Sequence, residues 1–311
     1  MKTRLDKFKA GLRTNPVDMI KRAVLYSAGL VWAGFETFFV YLYRVLVFPL
    51  PSRSKAGLKH TLNPRVKLDY PRQDIFLHAD SGLSVRRARA CEKEPETVGW
   101  IEASVKAGDV MYDVGANIGA YSLVASKFLR GQVDVYAFEP GFSTYDQLCR
   151  NILLNRCQDS VHPFMLALNS ATGMVDFDYH SLDAGDAEHR LVDRANAAPP
   201  STGAVYRQRL LGFRLDDLVS EFGFPQPNHM KLDVDGSELA VLQGATKAIQ
   251  SESFKSILVE VRKTGGQADQ VRELLCSSGF ELTSAHDRGD GIIWNYIFKK
   301  EGKIDGTKSD R

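Results

Sequence analysis

Short apolar runs and amphipathic stretches alternate along most of the chain. Runs at residues 109–114, 133–138, 162–168, 229–234, 256–261, 280–284 and 292–298 have the length and composition of strands. Residues 119–129, 144–155, 237–250 and 267–278 carry apolar side chains at helical spacing. Such alternation predicts a doubly wound α/β domain over residues 109–300, a mostly parallel sheet with helices on both faces. Ligands of such sheets sit beyond the carboxyl ends of the strands, so the residues that follow each strand carry the functional information. Residues 61–108 form a lead-in, and within it IFLHADSGLSVRRARA reads as two short extended runs about a Ser-Gly turn. Residues 174–209 lose periodicity and contain Pro199 and Pro200, which predicts a long irregular cover over the site. Its Tyr179, His180, His189 and Arg190 are candidates for contact with a polar acceptor. Residues 301–311 are expected to be a flexible tail.

The first sixty residues differ in character. Residues 23–43 are apolar or small apart from Glu36, long enough for a helix to cross a hydrocarbon core of roughly 30 Å. Glu36 opposes a full crossing by about 2.5 to 3.5 kcal/mol, so a helix lying in the membrane interface is an equal candidate. A helix packed on protein, including a second subunit, is the alternative. Basic residues flank the stretch on both sides, from Lys2 to Arg22 and from Arg44 to Lys59, which suits the anionic cytoplasmic face of a membrane. Residues 51–72 read as a linker. Residues 1–60 are therefore expected to form a basic and apolar helical segment that anchors the protein at that face.

Composition narrows the remaining choices. Lys and Arg number 40 against 38 Asp and Glu, and the net charge of +2 offers no electrostatic case for a nucleic-acid partner. Cys91, Cys149, Cys157 and Cys276 lie far apart without a C-x-x-C pair, so neither a zinc site nor a disulfide framework is expected.

The candidate site begins where the first strand ends in Asp113 and runs into Val114, Gly115, Ala116, Asn117, Ile118 and Gly119. Gly115 and Gly119 permit a tight turn and a close backbone approach, and the helix that follows presents unpaired N–H groups. The loop departs from the dinucleotide pattern G-x-G-x-x-G, with Asn117 at the second glycine and Ala120 at the third. A carboxylate at Asp113 would repel a pyrophosphate and attract a cationic amino group, as S-adenosylmethionine has. The second strand ends in Glu139, where an acid can accept hydrogen bonds from both hydroxyls of a ribose.

Four stretches together resemble the FkbM family of S-adenosylmethionine-dependent methyltransferases. They are EKEPETVGWI, DVGANIGAYS, YAFEP, and FRLDDLV leading to MKLDVDGSELAVLQGA, and the likeness spans roughly residues 75–300. It implies a Rossmann-like class I methyltransferase with a seven-stranded, mostly parallel sheet and an antiparallel last strand. It also implies methyl transfer to hydroxyl groups, often on sugars or polyketides. Glu94, Glu96 and Thr97 match the family's E-P-E-T element, which implies that they brace the cofactor loop or touch its methionine end; a plain helix N-terminus is the alternative.

Lys231, Asp233 and Asp235 alternate at the end of the fourth strand, so all three are expected on one face. Methyl transfer to an alcohol calls for a base beside the hydroxyl, and Asp233 or Asp235, supported by Glu238, and Glu260 at the fifth strand are the candidates. Capping of the next helix is the alternative for Asp235 and Glu238, and His286 is a base or a surface residue. Asp233, Asp235 and Glu260 have the chemistry of metal ligands, but no metal is expected. The cofactor-binding set is Glu96, Asp113, Gly115, Asn117, Gly119, Glu139 and Asp233. The expected function is O-methylation of a hydroxyl on a glycan, glycolipid or other lipid-linked acceptor. A non-catalytic cofactor-binding scaffold and an NAD-linked oxidoreductase are the alternatives.

Overall fold

The computed structural model describes residues 50–186, 189–192, 200–289 and 291–300, together with 37, 38, 40–42, 45 and 46. The chain divides into one unit of Met1–Asn63 and a second of Pro64–Arg311. In the first, α1 (Ser52–Leu62) is helical where composition suggested a linker. Pro51 lies just before the helix, and its carbonyl accepts the N–H groups of Ser54 and Lys55, so proline starts the turn instead of breaking it. Most of the apolar stretch 23–43, and with it the expected N-terminal helix, lies outside the described residues. Among the described residues no helix is long and apolar enough to cross a membrane.

The second unit is built on a seven-stranded sheet. Its strands are β3 (Val110–Val114), β4 (Asp134–Phe138), β5 (Val161–Phe164), β10 (His229–Leu232), β11 (Ser256–Arg262), β12 (Phe280–Asp287) and β13 (Ile293–Lys300), in the order β12-β13-β11-β10-β3-β4-β5. All neighbouring pairs are parallel except those of β13, which runs antiparallel to both β11 and β12. This is the predicted sheet with its antiparallel last strand. Successive residues of a strand point to opposite faces: Met111 enters one core with Leu123, Val135 and Leu148, and Tyr112 enters the other with Met230, Val241 and Leu275. Burial on both faces explains why the central strands read as mostly apolar runs.

Three helices cover the first face: α4 (Pro95–Ser104), α5 (Ala120–Phe128) and α6 (Phe142–Leu154). On the second lie α7 (Leu215–Ser220), α8 (Glu238–Gln243), α9 (Thr246–Gln250) and α10 (Gln267–Ser277). The single helix expected over 237–250 is thus two. A Cβ at Gly244 would lie 2.0 Å from the Asn169 carbonyl oxygen, so the chain there passes directly against its neighbour's backbone and the helical run breaks.

The lead-in contains a hairpin, β1 (Arg65–Lys67) with β2 (Phe76–His78), and two helices, α2 (Gly82–Arg87) and α3 (Ala90–Lys93). The second extended run expected after the Ser-Gly turn is therefore helical. Ser81 caps it, its Oγ accepting the Ser84 N–H at 3.0 Å. β2 is held against α6 where Asn151 and Asn155 accept the His78 and Phe76 N–H groups at 2.8 and 2.9 Å.

The region expected to be irregular forms a second sheet. The run 162–168 splits into β5 and β6 (Ala167–Leu168), and β6 joins β7 (Gly173–Tyr179), β8 (Arg190–Val192) and β9 (Tyr206–Phe213) in the order β6-β9-β7-β8. In β7, Val175, Phe177 and Tyr179 are buried on alternate positions. Asp178 is buried as well, its Oδ1 accepting from Arg207 Nε at 2.6 Å, and Asp176 and Asp178 take the positions that alternate with the three apolar residues.

Candidate active site

A cavity of about 410 Å³ opens beyond the carboxyl ends of β3, β4, β10 and β11, bounded by α2 and α3 on one side and by the second sheet on another. Gly115, Asn117, Glu139, Asp233, Asp235 and Glu260 all line it. Three other predicted contacts do not. Asp113 is fully buried beneath the loop, where its Oδ2 accepts from Ser122 Oγ at 2.5 Å and its Oδ1 lies 3.8 Å from Lys231 Nζ. Gly119 has a φ of 90° and starts α5 behind the wall. Glu96 accepts from Asn295 Nδ2 at 2.7 Å, away from the cavity.

The loop's shape follows from one close approach. Gly115 has a φ of 80°, and a Cβ there would lie 1.8 Å from the Asp233 carbonyl oxygen, so any side chain would push apart the two turns that form the cavity floor. Glu139 stands on the wall with both oxygens engaged, accepting the Asn117 N–H at 3.0 Å and the Gly141 N–H at 2.8 Å. Burial pushes its carboxyl up to about 7, against the opposing pull of those two N–H groups.

The fourth strand ends at Leu232, so Asp233 and Asp235 belong to the turn that follows it and not to a continued strand face. Asp235 adopts a φ of 53°. Glu238 lies under this turn and off the cavity wall, its Oε1 accepting the Val234 and Gly236 N–H groups at 3.1 and 3.0 Å. Asp233, Asp235 and Glu260 each bring one carboxylate oxygen within 4.8 Å of the others, the one such group of possible metal ligands found among the described residues. His286 is exposed within β12 and does not reach the cavity.

One buried and one half-buried cation organise these acids. Lys231, 2% exposed, lies 3.1 Å from Asp233 and 3.8 Å from Asp113. Burial alone would lower its pKa, and the two acids outweigh it, so the ammonium is held charged. Asp233 is raised by burial and lowered more strongly by Lys231 and Arg288, for a net fall. At Asp113 burial outweighs the lysine and the carboxyl is raised, which assigns the Lys231 charge mainly to Asp233. Arg288 bridges Glu94 at 2.7 Å and Glu260 at 2.5 Å. Glu260 is nevertheless pushed up to about 8, first by burial and then by the Asp233 charge.

Sequence reasoning gave Lys231 no role, although a lysine inside an apolar strand flanked by acids is a legible signal of a buried counter-ion. Arg288 left no such trace, because only the β12–β13 turn carries it to the site. His189, from the second sheet, also lines the cavity; both its ring nitrogens are buried without a partner and burial lowers its pKa. The inserted region is tied to the site by Asn117 Nδ2, which donates to the Asp186 carbonyl at 2.7 Å, and by Arg87 Nε, which donates to that of Gly185 at 3.0 Å.

Residues 113–282 match the methyltransferase FkbM domain. The chain belongs to the FkbM methyltransferase family. It is 30% identical over 209 residues to the hexuronic acid methyltransferase AglP of Haloferax volcanii, covering 67% of this chain and 79% of that one. It is 28% identical over 204 residues to the 31-O-demethyl-FK506 methyltransferase FkbM of Streptomyces tacrolimicus, covering 59% and 76%. Among solved structures, the precorrin-6y C5,15-methyltransferase of Geobacter metallireducens GS-15 aligns with a TM-score of 0.41 and 13% identity, over 68% of this chain and 87% of that one. This FkbM-family enzyme is an S-adenosylmethionine-dependent methyltransferase. The cavity suits that cofactor: it offers a buried carboxylate for a ribose, apolar Phe138, Leu166 and Leu168 for a purine, and acids for a sulfonium and an amino group.

Proposed function

We propose that this FkbM-family methyltransferase acts on a hydroxyl of a glycan, glycolipid or other lipid-linked acceptor. The carrying observation is the convergence of Asp233, Asp235 and Glu260 on one cavity wall, with Lys231 and Arg288 fixing two of them. The names of two relatives, one a hexuronic acid methyltransferase and the other an O-demethyl-FK506 methyltransferase, support an oxygen acceptor and a sugar. Contact with the cofactor falls to Glu139, Gly115, Asn117 and Asp233. Asp113, Gly119 and Glu96 shape the site from behind, Asp113 through Lys231 and Ser122.

When bound, S-adenosylmethionine supplies an electrophilic methyl carbon. Asp233 keeps its negative charge beside Lys231 and orients the acceptor hydroxyl. Glu260 takes the hydroxyl proton as the new O–C bond forms and the S–C bond breaks, since its burial beside Asp233 gives it the higher proton affinity. Arg288 holds one Glu260 oxygen and leaves the other for the acceptor. The test is mass spectrometry of glycolipid and polysaccharide fractions from cells with and without the protein. A product heavier by one CH₂ only when the protein is present supports the reading; identical fractions, or methylation on nitrogen or carbon, overturn it.

Glu139→Gln is expected to weaken S-adenosylhomocysteine binding roughly tenfold to a hundredfold, the value of hydrogen bonds to a charged acceptor. Protonation removes an acceptor from the ribose, so wild-type affinity should fall as pH drops through about 7. Titration calorimetry across the neutral range checks both, and equal pH dependence in the variant would move the ribose elsewhere.

The apolar stretch 23–43 and its basic flanks support attachment to the cytoplasmic face of a membrane. Removing residues 1–51 should shift the protein from the membrane pellet to the supernatant. Full-length protein that is already soluble without detergent would end this part of the proposal.

A further inference from the structure

Among the described residues, the charges around the cavity are not all matched. Arg288 is held between Glu94 and Glu260, and Lys231 between Asp233 and Asp113. Arg87 is half-buried, donates through Nε to the Gly185 carbonyl, and acts on the carboxyls of both Asp233 and Glu139, which directs it toward the cofactor. Two further guanidinium groups on the wall, Arg86 of α2 and Arg262 of β11, are exposed and have no acidic or hydrogen-bonding partner among the described residues.

Their positions belong to the outer part of the site. Arg262 lies two residues beyond Glu260 on the same strand and so on the same face, one step outward from the carboxylate assigned to the acceptor proton. Arg86 sits on the helix before α3, whose end carries Glu94, and Arg288 joins Glu94 directly to Glu260. Arg86 and Arg262 thus line one cavity from two elements, α2 and β11. A neutral acceptor would offer two guanidiniums only ordinary hydrogen bonds, whereas a planar carboxylate matches their paired N–H groups and their charge.

We propose that Arg86 and Arg262 form an anion subsite, and that the acceptor is an acidic sugar whose carboxylate they bind while its hydroxyl lies at Glu260. This rests on the methyltransferase reading above and goes further, naming the acceptor's charge and the residues that select it.

The experiment measures binding to the full-length protein saturated with S-adenosylhomocysteine, using methyl glucuronide, methyl glucoside and glucose 6-phosphate as probes. The glucuronide should bind better than the glucoside, and the preference should shrink as salt is added, because the subsite is exposed. Arg86→Gln with Arg262→Gln should reduce glucuronide affinity about tenfold, the effect of removing a charged hydrogen-bonding partner. Affinity for S-adenosylhomocysteine should hold in the same variant, and its failure to bind even wild-type protein would be a failure of the methyltransferase reading instead. Equal binding of glucuronide and glucoside, no binding of either, or an unchanged affinity in the double variant would overturn the subsite. Tighter binding of the sugar phosphate than of the glucuronide would overturn the carboxylate and assign the anion to a phosphoryl group.

Discussion

Lys231→Met is expected to destabilise the catalytic unit by about 3 to 5 kcal/mol, the loss that follows when one partner of a buried ion pair is removed. The methionine fills similar space, so the effect isolates charge. Asp113 is fully buried, and Asp233, on the cavity wall, is pulled below its ordinary range chiefly by the lysine. Without the ammonium, two carboxylates face each other across the end of the first and fourth strands. The lysine's pKa is raised above its ordinary 10.5, so its contribution is fully present at all lower pH and is lost only above that value. Denaturant unfolding at neutral pH measures the loss. Adding Asp113→Asn should recover part of it, since one uncompensated charge disappears. A single variant as stable as wild type would show that the lysine is not their counter-ion.

Glu260→Gln is expected to lower turnover by about 10² to 10⁴, the usual contribution of a positioned base, with cofactor binding retained. The pH profile separates this role from a structural one. Burial beside Asp233 raises the carboxyl from its ordinary 4.5 to about 8, and only the ionised form accepts a proton. The wild-type rate should therefore climb as pH rises through about 8, and the glutamine variant should lose that inflection. The same shift has a stability cost of known sign: a raised carboxyl favours the folded state while protonated, so stability falls as pH rises from about 4.5 to about 8. An inflection that survives in the variant would transfer the base to Asp233 or Asp235. Loss of activity on adding a chelator to wild-type enzyme would instead assign the three carboxylates to a bound cation.

Much of this site was readable because its parts are local. The turn from Asp113 to Gly119 needs glycine where the backbone bends and meets Asp233, and Glu139 follows an apolar run whose end a parallel sheet exposes to ligand. Asp233, Asp235 and Glu260 follow the same rule. Other readings failed where a residue's surroundings come from distant sequence. Asp113 looked like a ligand contact because it ends a strand, yet Ser122 and Lys231 enclose it completely. The second sheet was expected to be irregular although Val175, Phe177 and Tyr179 alternate with Asp176 and Asp178 at a strand's period; what distant sequence supplies is the Arg207 that pairs with the buried Asp178.

By itself the sequence determined the class of fold, the cofactor and the acids at the strand ends, because hydrophobic period and turn chemistry act between residues near one another in the chain. Tertiary structure alone decided which of those acids reach the cavity, which cations hold them, and that Arg86 and Arg262 on its wall have no partner among the described residues. Those outcomes depend on burial and on charges brought together across more than a hundred residues, and neither quantity exists until the sheet has assembled.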